Sequence, residues 1–138
     1  MDDLIKIFLA ILFGGILGAE RRHAGKAAGL RTYILVTLAA TVFTLISQRA
    51  APFFQSDVYD PGRLMSQVIL GMGFIGGGII IYYKEHIRGL TTAAGLWIAT
   101  AIGMAIGIEE YVLAGLVTLI SFLILAFLPL FEDKIGSD

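Results

Sequence analysis

Most of the side chains that could do chemistry collect around two short basic stretches, Ala28-Gly29-Leu30-Arg31-Thr32 and Arg88-Gly89-Leu90-Thr91-Thr92, sixty positions apart. Glu20, Arg21, Arg31 and Thr32 accompany the first. Arg88, Thr91, Thr92 and Trp97 accompany the second. Guanidinium groups beside a carboxylate and hydroxyls can pair internally, or they can clamp an anionic head group, a partner carboxylate or a hydrated ion. Both readings stand for Glu20 with Arg21 or Arg31. Thr91 and Thr92 read equally as caps of a helix, and Trp97 as an interfacial anchor. A separate polar cluster, Asp60, Arg63 and Gln67, lies elsewhere. There Asp60-Pro61-Gly62-Arg63 also has the form of a helix start, with Asp as cap and Pro in the first position.

Catalysis and resident metals find little support. The chain has no Cys, which excludes thiol chemistry and thiolate metal sites. His23 and His86 each lack the second ligand that metal spacing requires. No catalytic residue and no enzyme activity are expected, and no resident cofactor. Gly71-Met72-Gly73-Phe74-Ile75-Gly76 spells a dinucleotide fingerprint, but no strand precedes it and no acidic residue lies about twenty positions on. No basic run suits nucleic acid.

The elements that must position these residues are membrane helices. The 138 residues are 57% hydrophobic and 15% charged, with a mean hydropathy of +0.85; soluble domains carry about 25% charged residues. The charges gather at the ends of five apolar runs, residues 4–19, 32–47, 64–83, 91–108 and 111–131. A bilayer core asks for roughly 20 helical residues, and the runs show no alternation that would suggest strands. Arg21, Arg22, Lys26, Arg31, Lys84, Arg88 and Lys134 share one side; Lys6, Arg49 and Arg63 lie on the other. The positive-inside rule then places the N-terminus outside and the C-terminus in the cytoplasm. Acids at Asp2, Asp3, Asp57, Asp60, Glu109 and Glu110 gather on the outer side.

Residues i and i+60 correspond at Leu4/Leu64, Gly18/Gly78, Gly29-Leu30/Gly89-Leu90 and Thr32/Thr92. This predicts two hairpins of the same topology related by an axis along the membrane normal, plus a fifth helix. Glycines recur at helix spacing: Gly14 and Gly18; Gly73 and Gly77; Gly95, Gly103 and Gly107 with Ala99 between them. Such ridges let helix backbones approach closely, and they predict a homodimer or small oligomer held by glycine faces. The run Gly76-Gly77-Gly78 weakens a helix by about 1 kcal/mol per residue relative to Ala.

The chain resembles the MgtC/SapB membrane domain. The resemblance rests on Gly14-Gly15-Ile16-Leu17-Gly18-Ala19-Glu20-Arg21, Ala28-Gly29-Leu30-Arg31-Thr32, Asp60-Pro61-Gly62-Arg63, Gly71-Met72-Gly73-Phe74-Ile75-Gly76-Gly77-Gly78 and Arg88-Gly89-Leu90-Thr91-Thr92-Ala93-Ala94-Gly95-Leu96-Trp97, in that order. It implies an inner-membrane protein linked to magnesium limitation, and in pathogens to survival inside host cells. It also implies either transport of Mg²⁺ or inhibition of the proton-translocating ATP synthase. Some members carry Asn where Thr91 stands and Cys where Ile98 stands, so amide- or thiol-dependent roles do not carry over. Some add a soluble C-terminal domain; this sequence stops seven residues after Phe131, so any function of that domain is expected to be absent here or supplied by another chain, a separate soluble subunit.

The expectation is therefore one all-α, polytopic domain over residues 1–138, with five transmembrane helices as two parallel-repeat hairpins plus one. Its partners would be the lipid bilayer, a second copy and another membrane complex. Mg²⁺ would enter as a transported or regulating ion. Mg²⁺ usually meets one or two carboxylates and keeps waters. No Asp or Glu lies at the centre of any run, so the residues favour a carrier less than the resemblance does.

Overall fold

The computed structural model describes residues 2–50, 53, 60–83 and 86–135. Asp57, expected among the outer acids, and Lys84, expected among the inner basic residues, lie outside them. The fold is all-α, with five α-helices among the described residues: α1 (Asp2–His23), α2 (Leu30–Ala50), α3 (Pro61–Ile79), α4 (Leu90–Gly107) and α5 (Tyr111–Ile135). Three stretches, Leu30–Ala50, Leu90–Gly107 and Tyr111–Pro129, are long and apolar enough to cross a membrane. Charge at both ends dilutes α1, and Arg63, Gln67 and glycine dilute α3.

The ends of the helices follow from local chemistry. After α1 the amide of Lys26 donates to the Arg21 carbonyl (3.0 Å) and that of Gly25 to Arg22 (3.1 Å). Gly25 sits at φ 65°, the left-handed residue that this C-terminal motif requires. α3 starts as its sequence predicts: Asp60 is the N-cap, its carboxylate accepts from the Gly62 amide at 2.8 Å, and Pro61 opens the helix. The end of α3 corrects the sequence reading. The apolar run to Tyr83 is not all helix, because α3 stops at Ile79. Strand β1 (Ile81–Tyr83) then pairs antiparallel with β2 (His86–Arg88), Tyr82 opposite Ile87. Three glycines remove helix preference, and the Ile-Ile-Ile-Tyr-Tyr that follows favours strand.

α2 and α4 begin sixty residues apart, each at a Gly-Leu step. Tyr33 donates its amide to the Gly29 carbonyl (3.1 Å), and Ala93 donates to Gly89 (2.9 Å). α1 packs on α2 and α3 on α4, α2 packs on α4, and the cross-contacts α1–α4 and α2–α3 complete the arrangement. Two related hairpins facing each other through α2 and α4 give this pattern. α5 lies outside it, against α1 and α4. The core runs through Leu17, Tyr33, Leu96, Ala99, Ile102 and Ile106.

Candidate functional site

At the basic end of the bundle, Arg21 is 1% exposed. A buried guanidinium needs partners for its donors, and it has two. Its Nε and Nη2 form a fork on the Glu20 carboxylate, Nη2 at 2.7 Å from Oε1. Nη2 also donates to the Leu125 carbonyl of α5 at 2.8 Å. That carbonyl is available because its helical donor would be residue 129, which is proline and has no N–H. Arg21 thus satisfies the acceptor that Pro129 leaves open, and ties the first hairpin to α5. One helical turn away the Tyr33 hydroxyl donates across to the Thr92 carbonyl of α4 (3.4 Å).

From there a seam of hydroxyls runs between α2 and α4. Thr37, Thr41, Thr44 and Ser47 are buried along one face of α2, and Thr100 on α4. Thr37, Thr44 and Thr100 donate to carbonyls four residues back on their own helices, at 2.8–3.0 Å. Thr41 lies 3.0 Å from the Thr37 carbonyl and 2.9 Å from Gly103 across the seam. Small residues make this approach possible. A Cβ at Gly103 would collide with the Thr37 carbonyl, one at Gly95 with the Tyr33 hydroxyl, and one at Gly107 would lie 2.5 Å from Thr44 Cβ. The expected ridge of Gly95, Ala99, Gly103 and Gly107 therefore faces α2 of the same chain. Gly14 and Gly18 likewise face α2: a Cβ there would fall 2.7 Å from Thr37 Oγ1 and from Leu30 Cα respectively.

At the opposite end a second buried cation closes the seam. Lys6, 4% exposed, donates to the Gly107 carbonyl (3.3 Å) and to Glu109 Oε1 (2.8 Å). Glu109 has φ 70°, in the left-handed region that disfavours a side chain by about 1–2 kcal/mol. It occupies the place that glycine usually takes after a helix: Glu109 and Glu110 donate their amides back to Ile106 and Ala105. Lys6 holds it there. Arg49 donates to Asp3 on the exposed rim and holds that carboxyl below its ordinary value of 3.8.

The remaining predicted residues separate. Arg31 is exposed and Thr32 half-buried at the start of α2, beside Arg22 and Lys26 in a polar pocket of about 350 Å³. Thr92 is buried, whereas Thr91 and Trp97 are exposed on α4 and Arg88 on β2. Neither threonine caps α4. The helix begins at Leu90 behind Gly89 at φ 87°, with no side-chain cap bond, since the left-handed glycine takes the cap position two residues before the first threonine. Asp60 acts as cap and Arg63 is exposed on the first turn of α3. Gln67 lines a largely apolar cavity of about 630 Å³ between α2 and α3, with Val36, Phe43, Met72 and Thr100. A Cβ at Gly73 or Gly77 would meet nothing within 4 Å, so these two support no close approach within the chain. No group of three His, Cys, Asp or Glu able to hold a metal occurs among the described residues.

The sequence reading missed the hydroxyl seam and Lys6–Glu109. The seam had a signal: Thr37, Thr41 and Thr44 recur at helix spacing inside an apolar run. Lys6 had one too, as a cation set inside a span. The Arg21 bond to Leu125 was foreshadowed by Pro129.

Comparison with known proteins places this arrangement. Residues 7–134 match the MgtC family model. The chain is 41% identical over 113 residues to YhiD of Escherichia coli (strain K12), provisionally named a magnesium transporter, covering 80% of this chain and 53% of that protein. It is 38% identical over 141 residues to SapB of Bacillus subtilis (strain 168), covering 99% and 61%. It is also 38% identical over 108 residues to MgtC of Salmonella typhimurium (strain LT2), covering 78% and 44%. The chain thus spans about half the length of the curated relatives it matches. No solved structure matches it significantly. With most of its length aligned to the family model and to relatives of this identity, the chain belongs to the MgtC family.

Proposed function

We propose that this is a non-enzymatic protein of magnesium homeostasis in the inner membrane, N-terminus outside, acting by contact with another membrane complex and conducting no ion itself. The observation that supports this reading is the closed seam between α2 and α4. A hydrated Mg²⁺ gives up water reluctantly and needs several oxygens around it. Here the two central helices leave no room between them: Gly103 lies against the Thr37 backbone, Gly95 against the Tyr33 ring and Gly107 against the Thr44 side chain, and the threonines turn their protons onto helix carbonyls. Two buried cations fasten α1 alongside, Arg21 to the Leu125 carbonyl of α5 and Lys6 to the Gly107 carbonyl of α4. Among the apolar faces left exposed, that of α3 carries Leu70, Phe74 and Ile75 with unfilled glycines beside them. That face suits contact with a second copy or another membrane protein.

A second reading, transport of Mg²⁺ or another small ion, is favoured by the name of YhiD and by the line of hydroxyls joining the two ends. Liposomes containing only this chain separate the two. Contact predicts no magnesium entry above that of empty liposomes, and recovery of a membrane complex with the tagged chain from cells grown at low magnesium. Saturable magnesium entry overturns it.

A further inference from the structure

We propose that the pocket between the end of α1 and the start of α2 binds the phosphate group of an anionic ligand at the membrane surface. The proposal does not depend on whether the protein transports. The pocket, about 350 Å³, is lined by Arg22, Lys26, Gly29, Leu30, Arg31 and Thr32. The chain builds it by turning sharply. Gly25 adopts a left-handed conformation, and at Gly29 the backbone runs so close to α1 that a Cβ would lie 3.3 Å from Arg22 Cβ. Arg22 at the end of α1, Lys26 in the connection and Arg31 in the first turn of α2 thereby come around one concavity.

Its charge is uncompensated. The nearest acid in sequence, Glu20, has both carboxylate oxygens engaged by Arg21. Among the described residues the ion pairs are Lys6–Glu109, Arg21–Glu20 and Arg49–Asp3, and none uses a pocket cation. The first turn of α2 contains no acid. Three like charges around one small space repel one another, and a polyoxygen anion relieves that repulsion. Two guanidinium forks and one ammonium suit the several oxygens of a phosphate, with the Thr32 hydroxyl as a further donor. Exposed apolar side chains lie close by on the same two helices, Ile16 on α1 and Leu35 on α2. The pocket thus sits just beyond the apolar belt, at the depth of lipid head groups, where basic pockets recruit anionic lipids. A soluble phosphate carries the same chemistry. At i+60 the sequence has Tyr82, His86 and Thr91 in place of Arg22, Lys26 and Arg31, and the strands β1 and β2 take up the second connection, so the three cations belong to the first connection alone.

The test uses the full chain in nanodiscs of phosphatidylcholine alone or with phosphatidylglycerol, and in phosphatidylcholine with inorganic phosphate added. Melting temperature and lipid retention in native mass spectrometry are read for the wild type, for Arg22→Gln/Lys26→Gln/Arg31→Gln, and for Arg49→Gln/Arg63→Gln at the opposite end. The wild type should be stabilised by phosphatidylglycerol and retain it. Each cation removed should weaken retention about fivefold, while the opposite-end variant keeps it. Stabilisation by inorganic phosphate to the same extent supports the pocket with a soluble ligand. Equal retention by the triple variant and the wild type overturns the proposal, as does the absence of any effect of either anion on the wild type. The three side chains are exposed, so a triple variant that still melts cooperatively in phosphatidylcholine reports on binding alone.

Discussion

The bond from Arg21 to the Leu125 carbonyl should depend on a proline four residues further on. Replacing Arg21 by Met keeps the apolar stem and removes the charge. It leaves the Glu20 carboxylate unpaired in a side chain only 11% exposed, and leaves the Leu125 carbonyl without a donor. Breaking a buried pair from one side costs about 3–5 kcal/mol, and the orphaned buried carbonyl costs about a further 1–3 kcal/mol. Pro129→Ala restores an N–H at position 129 and lets α5 satisfy Leu125 internally. In that background Arg21→Met should therefore cost less by about 1–3 kcal/mol, and the coupling is read directly from a double-mutant cycle. The assay is reversible unfolding in mixed micelles, followed by helical circular dichroism. Arg49→Met, in the exposed pair with Asp3, is the control and should change little. If Arg21→Met costs the same in the wild-type and Pro129→Ala backgrounds, the carbonyl is not the acceptor that proline leaves open, and the account of how α5 is held fails.

Four further outcomes are expected. Gly103→Ala should destabilise by about 1–3 kcal/mol, because its methyl meets the Thr37 carbonyl in a packed interface; Gly73→Ala, with open space around it, should stabilise the isolated chain by about 0.5–1 kcal/mol. Unfolding curves compared side by side would refute the packing scheme if the two changes had the same sign. Lys6→Met should destabilise by about 1–3 kcal/mol, chiefly because the buried Gly107 carbonyl loses its donor, the 64% exposed Glu109 carboxylate being free to hydrate; an unchanged melting temperature would refute this. Cysteines placed at Gly25 and Glu110 of this Cys-free chain should react with an impermeant maleimide from opposite sides of sealed vesicles, and same-side labelling would remove the orientation. Asp3, its carboxyl lowered by Arg49, contributes above its unfolded value of 3.8 and loses that contribution as pH falls through its lower folded value. Melting temperatures of wild type and Asp3→Asn should therefore converge in acid, and a gap persisting there would show that the carboxylate is not what matters.

Much of the fold was legible because membrane helices are announced by length and composition. All five helices fall on the five apolar runs, and Gly29-Leu30 and Gly89-Leu90 mark both repeat-related starts. The end of α3 was not legible. A continuous apolar run does not distinguish helix from strand, and only the glycine triplet hinted at the change. The site was legible in part. Glu20 and Arg21 could be read as a pair, but the third partner lies 104 residues away. Glycine spacing identifies a face that something approaches closely, without saying what. The ridge from Gly95 to Gly107 turned inward onto Tyr33, Thr37 and Thr44, not outward to a second copy.

The two hairpins share a plan but differ in tightness, and one pair of positions accounts for much of the difference. Gly14 in α1 corresponds to position 74 in α3. At Gly14 the backbone meets Tyr33 and Thr37 of α2 with no room for a Cβ. Position 74 is Phe, 87% exposed, a side chain that could not occupy the equivalent contact without driving the helices apart. It turns outward, and Gly71, Gly73, Gly77 and Gly78 around it face open space. Between α3 and α2 a largely apolar cavity remains. Interhelical contact in a membrane comes from close fit and hydrogen bonds, because lipid is as apolar as the helix it would replace. α1 has both, through its glycines, Lys6 and Arg21. For α3 the described hydrogen bonds are local: Asp60 to Gly62, and Ser66 to Arg63. α1 is thus held to its neighbours by hydrogen bonds that α3, among the described residues, does not make. If the proposed contact with a membrane partner uses α3, Phe74→Ala, which removes the most exposed large side chain described on that helix, should reduce recovery of the partner with the tagged chain while leaving the melting temperature of the isolated chain unchanged.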